Sequence, residues 1–89
     1  MPQAIGDPEE LKNFANMLAQ YLNTLEVETS NLQGGFSNLG DTWQDEKRAA
    51  FEEEFSALMT QISQFKLACD EQVPYLNALA EKLQNYLNS

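Results

Sequence analysis

Apolar residues recur along the first part of the chain at alternating intervals of four and three. The series starts at Leu11, Ala15 and Leu18 and keeps its phase as far as Trp43. This alternation forms the seam of a helix that packs lengthwise against another helix. From this arm we assign seven residues to the core of a helical bundle: Leu11, Leu18, Leu22, Leu25, Leu32, Phe36 and Leu39.

The start of the first helix is marked by Asp7-Pro8-Glu9-Glu10. Asp7 can cap the helix, proline suits the first helical position, and Glu10 can reach back to the cap. The acids also complement the positive end of the helix dipole. The helix is therefore predicted to begin at about residue 8.

The end of the first helix is less obvious, because Gly34-Gly35 could stop it locally. A break at Gly34 is the alternative reading. The seam keeps its phase across both glycines, which lie off it and weaken the helix by about 1 kcal/mol each relative to alanine. We predict a continuous helix to about Leu39, with Gly40 as a left-handed C-terminal cap.

The second half of the chain carries a longer seam with the same spacing of four and three. Gln72 is its only strongly polar member. This seam predicts a helix over about 45–87, with Asp41, Thr42 and Asp45 as candidate caps. Pro74 lies off the seam, which predicts a kink nearby and not a new element. The core residues assigned here are Phe51, Phe55, Leu58, Ile62, Phe65, Leu76, Leu79 and Leu83.

Two long helices joined by a short turn predict an all-α antiparallel hairpin that occupies residues 1–89 as one domain. Its apolar stripe is wider than the seam. Phe14 and Tyr21 flank the first helix, and other apolar residues flank the second: Met59, Ala68, Val73, Tyr75, Ala80 and Leu87. One hairpin cannot cover both seam and flanks, so we expect a dimeric four-helix bundle. The partner is either a second copy, which a self-complementary seam favours, or a sister hairpin.

Charge and composition exclude several functions. The net charge is −9, with no basic cluster to bind nucleic acid and with repulsion from anionic membranes. With one cysteine an internal disulfide is impossible, and without histidine a tetrahedral zinc site is not expected. We expect no cofactor and no enzymatic activity.

Candidate chemical groups are few. Cys69 lies on the seam and is expected to be a buried, inert thiol. The consecutive acids of Glu52-Glu53-Glu54 point about 100° apart on a helix and do not converge on one site. The acids at 41, 45 and 46 lack the calcium-loop pattern.

The N-terminus, Met1-Pro2-Gln3-Ala4-Ile5, has neither the basic start nor the apolar run of a secretory signal peptide. We expect synthesis in the cytoplasm, with any export by another route.

Trp43, the single tryptophan, lies in the central turn. It is expected to close the end of the bundle, and a partly exposed tryptophan there is also a candidate anchor for a partner.

The turn motif of Trp43, Gln44 and Asp45, with Leu39 before it and Phe51 eight residues after Trp43, resembles the Trp-X-Gly turn of the WXG family. These are small helical hairpins of type VII secretion. The resemblance implies a non-enzymatic protein that pairs with itself or with a sister hairpin and leaves the cell by that route. The resemblance also implies a type VII secretion ATPase as a further partner.

This sequence departs from the family pattern at two points. Asp45 replaces the glycine, a position where aspartate tolerates a turn or capping conformation. The family export signal, a tyrosine followed four residues later by Asp or Glu, has no match, because Tyr75 is followed by Leu79. Either a partner chain supplies the signal, or the chain is a cytosolic structural adaptor that is not exported.

Overall fold

A computed structural model describes residues 6–88 as two antiparallel helices. Helix α1 spans Pro8–Leu39 and helix α2 spans Glu46–Asn88. They form a thin rod with principal dimensions of 66, 18 and 17 Å. The predicted all-α hairpin is confirmed, and α2 begins and ends one residue later than predicted.

The N-terminus of α1 has the predicted cap and proline, but the Glu10 side chain does not bond back to the cap within the described residues. The Asp7 carboxylate accepts a hydrogen bond from the Glu9 backbone N–H at 2.9 Å, and Pro8 occupies the first helical position. The Asp7 carbonyl accepts the first helical bond from Leu11 at 3.0 Å. These two bonds satisfy backbone donors that a helix start leaves unpaired.

Gly34 and Gly35 lie inside a continuous α1, as the unbroken phase of the seam predicts. A Cβ atom added at either position would have no neighbour within 4 Å. Neither close packing within this chain nor backbone conformation therefore explains two adjacent glycines in the middle of a helix.

Gly34→Ala is expected to raise the free energy of unfolding by about 0.5–1 kcal/mol, because alanine is the better helix former and open space receives its methyl group. Urea unfolding followed by circular dichroism at fixed protein concentration measures the change. Gly40→Ala serves as a comparison of opposite sign. A destabilised Gly34→Ala protein would contradict an exposed helical position.

Gly40 ends α1, but the prediction of a left-handed cap is wrong. Its φ of −58° and ψ of −24° are right-handed. The chain leaves the helix through tight turns, in which Gly40 and Thr42 donate to the carbonyls of Ser37 and Leu39, each at 3.0 Å. Glycine leaves the space that the Arg48 guanidinium occupies, because a Cβ there would lie 2.7 Å from Nη1 of Arg48 and 3.1 Å from the Ser37 carbonyl oxygen.

Pro74 lies within α2, which continues on both sides of it. It therefore does not begin a new element, in agreement with the seam. The bend that proline commonly causes by removing one backbone bond stays a prediction.

The contact between the helices is narrow. Within the helices of the described chain, only Pro8, Ala15, Leu22 and Ala80 are buried, and no aromatic ring is. So few buried side chains leave a single hairpin with little hydrophobic stabilisation for its length.

Lys66 occupies a position of α2 that faces α1, between the half-buried Met59 and Val73. Its Nζ lies 2.9 Å from Oδ2 of Asp70, one turn further along the helix. The hydrogen bond that Lys66 donates to the Asp70 carboxylate raises the pKa of Lys66, so this ammonium group stays charged at neutral pH. The side chain reaches the rim of the interface and pairs there, as long basic side chains commonly do.

Candidate functional site

The turn between the helices is held by side-chain hydrogen bonds of all three residues of its motif, Trp43, Gln44 and Asp45. Gln44 Nε2 donates to the Gly40 carbonyl at 3.0 Å, which ties the turn to the end of α1. Asp45 Oδ1 accepts from the Lys47 backbone N–H at 3.0 Å and from that of Arg48 at 3.3 Å, so Asp45 caps α2. The Trp43 indole Nε1 donates to the same Asp45 oxygen at 3.0 Å.

Four aromatic rings from both helices and the turn pack together beside this motif. The Phe36 ring centroid lies 4.9 Å from that of Phe55 and 5.7 Å from that of Phe51. Trp43 joins through Phe51, at 5.8 Å between centroids. Trp43 is half-buried. Its ring packs on Phe51, and its role in closing the end of a bundle stays a prediction.

Arg48, the single arginine, covers this aromatic cluster. Its Cζ atom lies 4.9 Å from the Phe36 ring centroid, and Nη1 donates to the Trp43 carbonyl at 3.4 Å. Its Nε is buried without a hydrogen-bond partner. The guanidinium is therefore held mainly by the face of an aromatic ring, an attraction of about 0.5–2 kcal/mol.

One side of the hairpin presents large apolar side chains that neither helix covers. Seven of them, between residues 14 and 65, expose between 46% and 54% of their surface. In α1 they form two pairs seven residues apart, and the second pair follows the first by 18 residues, or five helical turns. In α2 they recur at intervals of seven, so in both helices they lie along one side of the rod. We call this surface the apolar face, and it consists of Phe14, Tyr21, Leu32, Leu39, Phe51, Leu58 and Phe65.

The opposite side of the hairpin is mainly polar. Near the turn, a groove of about 420 Å³ runs between the helices and is lined by Gln33, Ser37, Glu52 and Ser56, among others. Its continuation, of about 310 Å³, is lined by Glu26, Ser30, Ser63 and Lys66, among others. The two long sides of the rod therefore differ in character.

The residues assigned to the bundle core divide between two positions. Some face the other helix of the hairpin and are buried or half-buried: Leu11, Leu18, Leu22, Leu25, Phe36, Phe55, Ile62, Leu76, Leu79 and Leu83. The others are Leu32, Leu39, Phe51, Leu58 and Phe65, and these lie on the apolar face. The flanking residues Met59, Val73 and Ala80 turn towards α1.

The sequence and fold match those of known proteins. The family model WXG100, described as proteins of 100 residues with WXG, matches residues 5–86. The chain belongs to the WXG100 family. It is thus a helical hairpin of the type VII secretion kind.

Solved structures agree with this WXG100 membership at the level of fold. Two crystal structures of EsxB, a secreted protein from Bacillus anthracis, superpose on the chain with TM-scores of 0.81 and 0.79. Both are 22% identical to this chain. They cover 96% and 97% of it, and it covers 99% and 98% of them respectively. No curated protein matches the chain.

The WXG100 turn of this chain carries Asp45 where the motif has glycine, and the geometry shows what aspartate adds. A glycine could neither cap α2 with a side chain nor accept the indole hydrogen bond. Aspartate makes both contacts through the same oxygen. The substitution therefore couples the tryptophan to the start of α2.

Asp45→Ala is expected to lower the free energy of unfolding by about 1–2 kcal/mol, because it removes a helix cap and leaves the indole N–H without its acceptor. Urea unfolding measures the loss, and the fluorescence of the single tryptophan reports the change around Trp43. Asp41→Ala is the matched control, since the Asp41 side chain makes no hydrogen bond within residues 6–88. Equal effects at the two positions would contradict a specific role for Asp45.

Arg48 is a contributor to the WXG100 turn that sequence reasoning did not identify. It is three residues after the cap and lies off the seam, so periodicity gives no reason to select it. Two signals could have identified it: it is the only arginine, and it follows a turn glycine by eight residues. Its contact with Phe36 depends on the path of the turn, which residue spacing does not specify.

Other candidate chemical groups stay apart in the described part of the chain. Cys69 is a half-buried free thiol, and the side chains of Glu52, Glu53 and Glu54 are exposed. Among residues 6–88, no three acidic, cysteine or histidine side chains gather as a metal site. Neither helix described here is apolar enough over its length to cross a membrane.

Proposed function

We propose that this WXG100 protein is a non-enzymatic interaction protein whose working surface is the apolar face. Two hairpins would join through these faces into a four-helix bundle, and a second copy of the chain is the favoured partner. The bundle would be the form that a type VII secretion machine, with its ATPase, takes out of the cell. A sister hairpin is the alternative partner.

The observation that carries this proposal is the exposure of seven large apolar side chains along one side of the rod. The apolar face runs from Phe14 to Leu39, about 38 Å of helix. Across the 18 Å width of the rod it covers roughly 700 Å² per partner, close to the roughly 800 Å² of a stable specific interface. Solvation of that surface would forgo roughly 25 cal/mol for each Å² of apolar area. The buried residues within one hairpin are too few to make it stable alone.

The proposal of a non-enzymatic role rests on the same geometry. The apolar face carries no ionised group among its seven residues. The polar grooves on the other side are open and shallow, and their acids are solvated. Such surfaces support binding by contact area more than positioned chemistry.

Sedimentation equilibrium of the purified chain tests the pairing. We expect a dimer at micromolar concentration, with loss of helix when dilution separates the copies. A folded, helical monomer at these concentrations would contradict pairing with itself. If that monomer formed a 1:1 complex with a second hairpin of the same organism, the sister-hairpin alternative would replace the homodimer.

A second candidate function is a cytosolic adaptor that keeps the bundle and is not exported. The observation that favours it is that Tyr21 and Tyr75 are each followed four residues later by leucine, at Leu25 and Leu79, where the export signal has an acid. Immunoblots of cells and medium, with and without the secretion ATPase, separate the two candidates. ATPase-dependent protein in the medium supports export, and retention inside intact cells supports the adaptor.

A further inference from the structure

We propose that the polar groove beside Arg48 receives a helix of a partner protein, and that an acidic side chain of that helix pairs with the Arg48 guanidinium. The groove lies on the side of the rod away from the apolar face, so it stays open when two hairpins pair. The inference therefore goes beyond the proposed pairing and does not depend on which hairpin covers the apolar face.

Arg48 holds unused hydrogen-bond donors at the edge of this groove. A guanidinium carries five N–H donors in a planar fork. One donor, on Nη1, makes a long hydrogen bond of 3.4 Å to the Trp43 carbonyl oxygen, and the buried Nε has no partner. Among residues 6–88 the only ion pair within 4.0 Å joins Lys66 to Asp70, so no carboxylate there pairs with Arg48.

The lack of an acid beside Arg48 is informative in this chain, where 14 acidic residues outnumber 5 basic ones. Glu52 lies one helical turn after Arg48 and lines the same groove. Even so, its carboxylate is not within ion-pair distance of the guanidinium. The planar fork of arginine binds a carboxylate through two parallel hydrogen bonds. A carboxylate from a partner is therefore the ligand that satisfies Arg48 best.

The Arg48 guanidinium is held in place before any ligand binds. Its Cζ atom lies 4.9 Å from the Phe36 ring centroid, so one face of the group rests on the ring. Glycine at position 40 leaves room for both terminal nitrogens, which would lie 2.7 and 3.3 Å from a Cβ there. A donor fixed in this way loses less conformational entropy when a ligand binds.

The walls of the groove suit the approach of a third helix. The two parts of the groove, of about 420 and 310 Å³, follow one another along the hairpin. Small hydroxyl residues stand seven apart on each wall, Ser30 and Ser37 on α1 and Ser56 and Ser63 on α2. Short side chains at this interval let a neighbouring helix come close along the whole length of the groove.

The floor of the groove is apolar and long. It contains the half-buried side chains of Phe36, Phe55 and Met59. On α2 the groove extends from Arg48 to Lys66, which is about 27 Å, or about five helical turns. An amphipathic helix can lay one apolar stripe along such a floor and direct its polar groups to the walls.

Charges along the groove specify the charges of the partner helix. Arg48 and Glu52 stand about 6 Å apart along α2, and Lys66 and Glu26 line the far end. A partner helix with an acid and a base four residues apart matches Arg48 and Glu52. A polyanion does not match, because an acid accompanies each cation and the chain carries a net charge of −9.

NMR titration with a synthetic helix tests the site. The probe is an acetylated, alanine-based peptide of about 16 residues with Glu and Lys four residues apart in its middle. Because Arg48 is the single arginine, its side-chain Nε–H gives one unambiguous signal in the ¹⁵N-labelled protein. We expect this signal and the amides of residues 33, 37, 52 and 56 to shift saturably, with half-saturation between about 0.1 and 1 mM.

A peptide with Gln in place of its Glu is the matched control, and we expect it to bind about tenfold more weakly. Arg48→Lys keeps the charge but loses the fork, so it should weaken the original peptide about fivefold. Circular dichroism checks that this variant keeps its helices. Glu52→Gln should weaken the Glu/Lys peptide about twofold but strengthen a peptide in which Gln replaces the Lys, since Glu52 attracts the base and repels the acid.

Several results would overturn the proposed site. Equal binding of the Glu and Gln peptides would show that no carboxylate is recognised. Shifts confined to residues 51, 58 and 65 would place the peptide on the apolar face, and the absence of saturable shifts up to about 5 mM would remove the site. Displacement of the peptide by equimolar inorganic phosphate would show a general anion site instead. A monomer in sedimentation would contradict only the proposed pairing.

Discussion

Leu58→Glu is expected to separate the paired hairpins and to raise the dissociation constant roughly a thousandfold. Leu58 is 47% exposed in the hairpin and lies in the middle of the α2 part of the apolar face. A carboxylate there loses apolar burial and must be desolvated on pairing, at about 2 kcal/mol for each copy. A symmetric dimer contains the change twice, and about 4 kcal/mol corresponds to that factor.

Sedimentation equilibrium measures this effect, and Leu67→Glu is its matched control. Leu67 is 63% exposed on the same helix, nine residues from Leu58, which places it on the other side. The Leu67→Glu substitution removes the same side chain as Leu58→Glu and adds the same charge. We expect Leu67→Glu to leave the dissociation constant unchanged within about threefold. Equal weakening by both substitutions would show that net charge, and not the apolar face, governs association.

Leu22→Ala is expected to produce the largest loss of stability within the hairpin, about 2–4 kcal/mol. Leu22 is 3% exposed and is the only large apolar side chain buried between the two helices in the described residues. Truncation removes its transfer free energy and leaves a cavity that rigid helices fill poorly. A loss of this size is a large share of the 5–15 kcal/mol typical of a folded domain.

Urea unfolding at fixed protein concentration measures the Leu22→Ala effect, since the stability of a dimer depends on its concentration. Leu67→Ala removes the same atoms from an exposed site and should change the free energy of unfolding by less than about 0.5 kcal/mol. A loss below about 1 kcal/mol at Leu22 would contradict its placement in the core.

Much of the fold follows from local rules that act within one or two helical turns. Asp7 and Pro8 define the start of α1 through cap geometry and a missing amide. The uninterrupted seam carries α1 through Gly34, although propensity alone would end it there. Periodicity is decisive here because packing along a whole helix outweighs the cost of two glycines.

The turn was predicted less completely. Trp43, Gln44 and Asp45 could be identified from the motif, but the bonds that each makes depend on the path between the helices. Gly40 was assigned to conformational freedom, whereas it makes room for Arg48. A glycine provides both conformational freedom and space for a neighbouring side chain. Only the positions of the surrounding atoms show which of these two properties the fold uses.

The sequence by itself determined two helices, their ends within one residue, the hairpin that joins them and a stripe wider than one contact. The tertiary structure decided which half of that stripe lies inside the hairpin. A heptad pattern fixes the residues along one side of a helix, but not the rotation of that side towards either of two neighbours. Short side chains at Ala15 and Ala80 pack inside, and Phe51, Leu58 and Phe65 remain outside on the apolar face. That rotation turns an expected core into the proposed interaction surface.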